Sequence, residues 1–274
     1  MQLEFRAVHS HKEKHQVSKM TQNKVELIGY YGGDRRSCIS AWQSTTEELG
    51  IELPDSIPDR VDAIFEAIAK TKKKSPWELL DFLASNHHET PFEKGILDFQ
   101  ITGDIASHIH ALKHRISQIN SESARYKEFV ADRFYIPEDW SGLTLQENFL
   151  EDNGEIAYKS GQYWSDILKH ESERHFKLYH QAIKDISKPL GRKRAKESAR
   201  YFLGYNTQLN FDWQMNFRSF VNIQKLRNSP HAQCEIKSIA NTMLYLVENI
   251  PDKPFQYTLK AFGLKSTVED NLFL

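Results

Sequence analysis

Between residues 208 and 216 the chain reads Gln-Leu-Asn-Phe-Asp-Trp-Gln-Met-Asn, an alternation of polar and apolar residues that restricts the fold more than any other stretch. Successive side chains of a strand point to opposite faces, so a period of two marks a strand with one buried face and one wet face. Helical segments are expected on both sides of it, over residues 192–202 and from Asn216 through Leu226. Two further strands are read at residues 25–31, before a Gly32-Gly33-Asp34 turn and a helix start, and at residues 92–101, with Ile96 or Leu97, Phe99 and Ile101 as buried positions. Gly103 is expected to break the latter strand and Asp104 to cap a helix in which Ile105, Ile109, Leu112 and Ile116 form one apolar stripe.

Other helices are expected over residues 59–70, where Val61, Ile64, Phe65 and Ile68 recur at helical spacing, and from the capped start Ser75-Pro76-Trp77-Glu78 to about Ser85. A long amphipathic helix is read over 154–188 and a last clear helix over 232–247, ahead of a proline-containing tail. Helices outnumber strands and separate them, so the class is α/β or α+β with a helical majority. A chain of 274 residues with 39% hydrophobic side chains fits one large domain or two small ones, and it is read as a single domain over 1–274.

Thirty-six basic residues balance 37 acidic ones, which argues against a surface given over to nucleic acid or membrane and requires any anion site to be local. Cys38 and Cys234 lack a C-x-x-C partner and are expected to be free packing thiols in a reducing compartment. No apolar run is long enough for a membrane span and the first residues are too charged for a secretory signal, so the expected location is cytoplasmic. The basic run at 70–74 suits a helix C-terminus, where the dipole favours cations.

Three clusters carry chemistry. Lys113-His114-Arg115 is followed by small hydroxyl and amide residues and then Arg125-Tyr126, a set that suits phosphate or pyrophosphate, although a basic triplet alone is more often a solvated helix end. Asn216, Arg218 and Asn222 precede Arg227 and His231; Arg218 and Asn222 are four apart and share a helix face. His87-His88-Glu89-Thr90-Pro91-Phe92-Glu93 has neither the spacing nor the unbroken helix of a zinc motif, so no metal site is expected.

In this order the clusters resemble the flavin-dependent thymidylate synthases, whose signature is R-H-R, seven residues, then Ser and often Arg-Tyr. Here it stands as Lys113-His114-Arg115, seven residues, Ser123, then Arg125-Tyr126. HHETPFEKGILDFQI and NFRSFVNIQKLRNSPHAQCEI resemble the flanking family segments, and the likeness covers about residues 25–250. Residues 129–155 read as an insertion and 251–274 as a tail.

The resemblance implies a mixed, helix-rich fold assembled as a homotetramer, with FAD and nucleotide where subunits meet. It implies reductive methylation of dUMP to dTMP, with methylenetetrahydrofolate as one-carbon donor and NADPH as reductant. It implies flavin contacts from Ser44, His88, Lys113, His114, Arg115, Asn120, Asn216, Arg218, Asn222 and His231. The nucleotide would meet His110, Ser121, Ser123, the backbone of Ala124, Arg125 and Arg200, with Ser123 binding rather than attacking. Arg227 would sit against the uracil as the catalytic cation. Lys113 departs from the family's first arginine and loses its planar fork. His110 and Ser121 stand where members commonly carry longer amide or acidic side chains, which leaves UMP open as an alternative substrate. Also open are a non-catalytic flavin- or nucleotide-binding protein and a nucleic-acid module using the basic triplet, the latter disfavoured by the balanced charge.

Overall fold

The computed structural model describes residues 22–43 and 50–267. Its strands are β1 (Lys24–Tyr31), β2 (Ile96–Asp104), β3 (Gln118–Ser121), β4 (Phe149–Leu150), β5 (Ile156–Tyr158) and β6 (Gln208–Asn216). One sheet has the order β1-β2-β6-β3, and β4 and β5 form a separate hairpin. Every pairing is antiparallel, which decides the class as α+β, since α/β folds rest on parallel strands joined by crossover helices.

The alternation at 208–216 becomes β6. Its residues Leu209, Phe211, Trp213 and Met215 are buried and lie opposite Gly103, Ile101, Phe99 and Leu97 of β2. Two helices, α6 (Phe217–Arg227) and α7 (Cys234–Glu248), close this face through Phe220, Ile223, Ile236, Ile239 and Met243. Full burial of each such side chain stabilises the fold by roughly 1.5–3 kcal/mol.

Strand β2 departs from expectation at both ends. Residues Thr90–Lys94 form a 3-10 turn, so the strand begins at Ile96 rather than Phe92. Gly103 lies inside it: a Cβ there would come within 3.3 Å of the Phe211 ring and 3.5 Å of Ile239, so the glycine admits its neighbours instead of ending the ladder. Asp104 then caps α4 (Ile105–Ala111) as expected, accepting from the Ser107 amide at 2.8 Å.

The proposed stripe on that helix does not form. After Ala111 the chain leaves the helix to reach β3, Leu112 and Ile116 are 51% and 76% exposed, and Ser107 and Ala111 face inward. The long helix also differs, because residues 154–158 contribute to the hairpin and α5 runs from Trp164 to Ala199. Pro189 and Gly191, the latter at φ 80° and ψ 153°, interrupt α5 between residues 188 and 192, where one helix is expected to end and a second to begin, so the two expected helices form on either side of the kink.

A second core joins α1 (Asp34–Trp42), α2 (Ile57–Ala69) and α3 (Pro76–Ser85) through Cys38, Trp42, Phe65, Ile68 and Leu80. Ser75 caps α3 in a reciprocal box with Glu78. Of the tail, the described residues 251–267 are structural: Phe255, just before α8 (Gln256–Ala261), stacks on Phe217 at 5.0 Å and Tyr257 of α8 on Trp77 at 3.9 Å, tying the two cores together. The stretch read as an insertion likewise supplies Phe129, Phe134 and Ile136 to the main core. Cys38 is buried, whereas Cys234, expected to pack, is exposed at the start of α7.

One contact makes stability depend on pH. The His180 ring on α5 lies 3.0 Å from Glu128 and 2.7 Å from Asp132, one carboxylate on each nitrogen, and only the imidazolium donates to both. Its pKa is raised, first by the Asp132 bond and against the opposing effect of burial. The stabilisation is therefore complete below the ordinary value near 6.5 and is lost as pH rises through the raised value. His180→Gln is expected to cost about 1 kcal/mol at pH 6 and to approach wild type at pH 9 in urea unfolding; an equal cost at both would dismiss the clamp.

Candidate functional site

Register brings distant segments to one end of the sheet. Gln118 at the start of β3 pairs with Gln214 near the end of β6, so the preceding residues 113–116 meet the point where α6 departs. Ile96 at the start of β2 pairs with Asn216, which places the Glu89–Glu93 turn at the same end. Between them lies a cleft of about 730 Å³, lined by Glu89, Glu93, Lys113, His114, Arg115, Asn216, Arg218, Asn222, Lys225 and Arg227 with a few apolar neighbours.

Five basic side chains against two carboxylates make the cleft electropositive. Asn216 caps α6 by accepting from the Ser219 amide at 2.8 Å, turning the helix N-terminus and its partial positive charge toward this end. Both carboxylates are engaged by Arg218, whose Nε donates to Glu89 at 3.0 Å and whose Nη1 donates to Glu93 at 2.7 Å. The Pro91 turn holds these two acids four residues apart on one side, a role that depends on the distant Arg218 and has no local signal in the sequence.

Arg227 is held differently. Its Nε–H donates to Nε2 of His114 at 2.9 Å and its Nη2 to the His110 carbonyl at 3.4 Å. Burial, then the Arg227 charge, then His110 push the His114 pKa down to about 4, so the ring is neutral with its proton on Nδ1. Behind it, Ser117 donates to the His114 carbonyl at 2.6 Å and accepts from the buried Trp213 indole at 2.9 Å.

Of the expected site residues, Lys113, His114, Arg115, Asn216, Arg218, Asn222 and Arg227 line this cleft, and His110 touches it through its carbonyl. His88, Asn120 and His231 are exposed outside its lining. Ser121 pairs with His108 at 2.7 Å, Arg125 binds Glu197 at 3.1 Å, and Ser123, buried Ala124 and exposed Arg200 also stand outside. Ser44 lies outside the described residues. Among the described residues no group of His, Cys, Asp and Glu is arranged to hold a metal, and no helix is long and apolar enough to cross a membrane.

An antiparallel α+β fold with a basic cleft at one sheet end, beside a capped helix N-terminus, offers a site suited to an anionic ligand. A family model described as thymidylate synthase complementing protein matches residues 26–251. The flavin-dependent thymidylate synthase of Pseudothermotoga lettingae is 30% identical over 236 residues, 85% of this chain and 89% of the relative. That of Ehrlichia ruminantium (strain Gardel) is 30% identical over 172 residues, a match that spans about half the relative's length, 55%. The crystal structure of a UMP/dUMP methylase, PolB, from Streptomyces cacaoi with 5-Br dUMP superposes with a TM-score of 0.64 at 22% identity, over 90% of this chain and 97% of that one, a likeness of fold. The chain belongs to the flavin-dependent thymidylate synthase family.

Proposed function

We propose that the protein methylates dUMP to dTMP, using bound FAD, methylenetetrahydrofolate and NADPH. The observation that carries this reading is the convergence of Lys113, His114 and Arg115 with Asn216, Arg218, Asn222 and Arg227 in one cleft. The donor set fits a flavin dinucleotide. Lys113, Arg115 and Arg218 match a pyrophosphate, and Asn216 and Asn222 offer amide donors and acceptors. When bound, the flavin supplies the reducing equivalents that complete the transferred methyl group.

The chain's own residues position and polarise. Arg227 presents a fixed cation to the uracil carbonyl, where negative charge develops as C5 becomes nucleophilic. Ser123, the Ala124 backbone, Arg125 and Arg200 form the nucleotide phosphate site, and Arg125 must leave Glu197 to join it. Because these residues stand outside the cleft of their own chain, the reading includes a homotetramer in which one subunit's phosphate group faces another's flavin cleft. Cys38 is not a nucleophile: it is buried, and burial followed by the Asp34 charge pushes its thiol up to about 12.

UMP is the second reading, favoured by the short Ser121 side chain, which pairs with His108, and by the likeness to a UMP/dUMP methylase. The test is the visible spectrum of the purified protein, followed by anaerobic photoreduction and addition of methylenetetrahydrofolate with dUMP or UMP side by side. Reoxidation with dTMP formed only when dUMP and folate are both present supports the proposal. Turnover of UMP alone moves the assignment to the second reading, and failure to bind added FAD removes both.

A further inference from the structure

We infer that Ser117, anchored on the indole of Trp213, is a positioning residue that aims the Arg227 guanidinium by fixing its acceptor His114. The inference rests on the proposed role of Arg227 and adds a residue outside the ligand contacts implied by the family likeness.

The two cleft arginines are held on different chemical terms. Arg218 is pinned by two carboxylates, which neutralise much of its charge. Arg227 forms no ion pair among the described residues; its short bond goes to a neutral imidazole and its other, longer one to a carbonyl. A neutral acceptor leaves the full cationic charge available to a bound anion, whereas a carboxylate would cancel it. The arrangement then depends on how firmly the imidazole is held, since it has neither the charge nor the second oxygen of a carboxylate.

Ser117 supplies that firmness. His114 follows the end of α4 in a turn with no regular ladder, and Ser117 bridges back across it, its hydroxyl donating to the His114 carbonyl at 2.6 Å. The same oxygen accepts from Nε1 of Trp213 at 2.9 Å, and Trp213 is fully buried in β6, packed with Phe99 and Phe211. Two hydrogen bonds, indole N–H to hydroxyl and hydroxyl to carbonyl, thus tie the His114 main chain to the sheet core, and the ring, joined to that main chain covalently, accepts the Arg227 Nε–H on its far side. The His114 ring also lies 5.8 Å from the Trp213 ring, so both main chain and side chain of the acceptor are referenced to one rigid group.

The test is a double-mutant cycle with Ser117→Ala and Arg227→Ala, measured at saturating FAD. Ser117→Ala is expected to lower kcat about tenfold, with nucleotide KM and flavin spectrum unchanged, and Ser117→Thr, which keeps the hydroxyl, to recover most of it. On the Arg227→Ala background, Ser117→Ala is expected to cost nothing further. Full kcat in Ser117→Ala, or the same tenfold loss without Arg227, would overturn the inference. Histidine-selective 15N NMR gives a readout independent of turnover: His114 is expected to show a bare, hydrogen-bonded Nε2 in the wild type and a changed Nε2 signal in Ser117→Ala. A protonated Nε2 in the wild type, or identical spectra, overturns the positioning role. Absent turnover of dUMP and UMP with the expected spectra counts against the functional reading and leaves the hydrogen-bond relay supported.

Discussion

Arg227→Ala is expected to reduce turnover by roughly 10²–10³-fold, the effect of removing one preorganised charge donor from a transition state, while the protein still takes up flavin. The cleft retains Lys113, Arg115, Arg218 and Lys225 without it, so cofactor binding has other cations to rest on. The loss is expected in kcat more than in KM, because charge on the pyrimidine develops as the reaction proceeds and is small in the bound ground state. Arg227→Lys separates charge from aim. Lysine keeps the cation but cannot place an Nε–H on His114, so it is expected to recover only part of the rate. Single-turnover flavin reoxidation checks both variants, and an Arg227→Ala protein retaining more than about a tenth of wild-type turnover would take this residue out of the chemistry.

Trp213→Ala is expected to destabilise the fold by about 3–5 kcal/mol, the usual range for removing a large buried aromatic. The indole is fully buried, faces Phe99 across the ladder and bonds Ser117. Its loss therefore opens a cavity beside β3 and also leaves the Ser117 hydroxyl without its donor. Trp213→Phe tests the two effects separately: most of the packing remains, so the stability cost is expected to fall to about 1–2 kcal/mol while the bond to Ser117 is still lost. Chemical unfolding with unchanged slope measures both. A cost below about 1 kcal/mol for the alanine variant would show that the site can collapse around the vacancy.

Much of the local structure was legible because its causes are local. The period-two run at 208–216 needs only the pleat to become β6, and the caps at Ser75 and Asp104 need only a side-chain oxygen within reach of amides two or three residues on. The readings that failed needed distant information. Leu112 and Ile116 have helical spacing with Ile105, but the chain must turn after Ala111 for Gln118 to pair with Gln214. Gly103 resembles a strand breaker until Phe211 and Ile239 crowd against it.

The site divides along the same line. Residue types and order placed Lys113, His114 and Arg115 in one cluster and Asn216, Arg218, Asn222 and Arg227 in another, together with a family likeness that the comparisons supported. Sequence by itself determined the inventory: the alternation of β6, the capped starts of α3 and α4, and which cations and amides are present to meet an anion. Only the tertiary structure decided which of them meet. His114 and Arg227 are 113 residues apart, and their bond depends on β3 and β6 pairing in one register. Likewise Arg218 joins Glu89 and Glu93 only because Ile96 lies opposite Asn216. A one-residue slip in either ladder would turn the strands' buried side chains to the other face and shift the turns and helix that carry these groups, which is why the chemistry of the cleft follows from long-range pairing and the composition of its walls from the sequence.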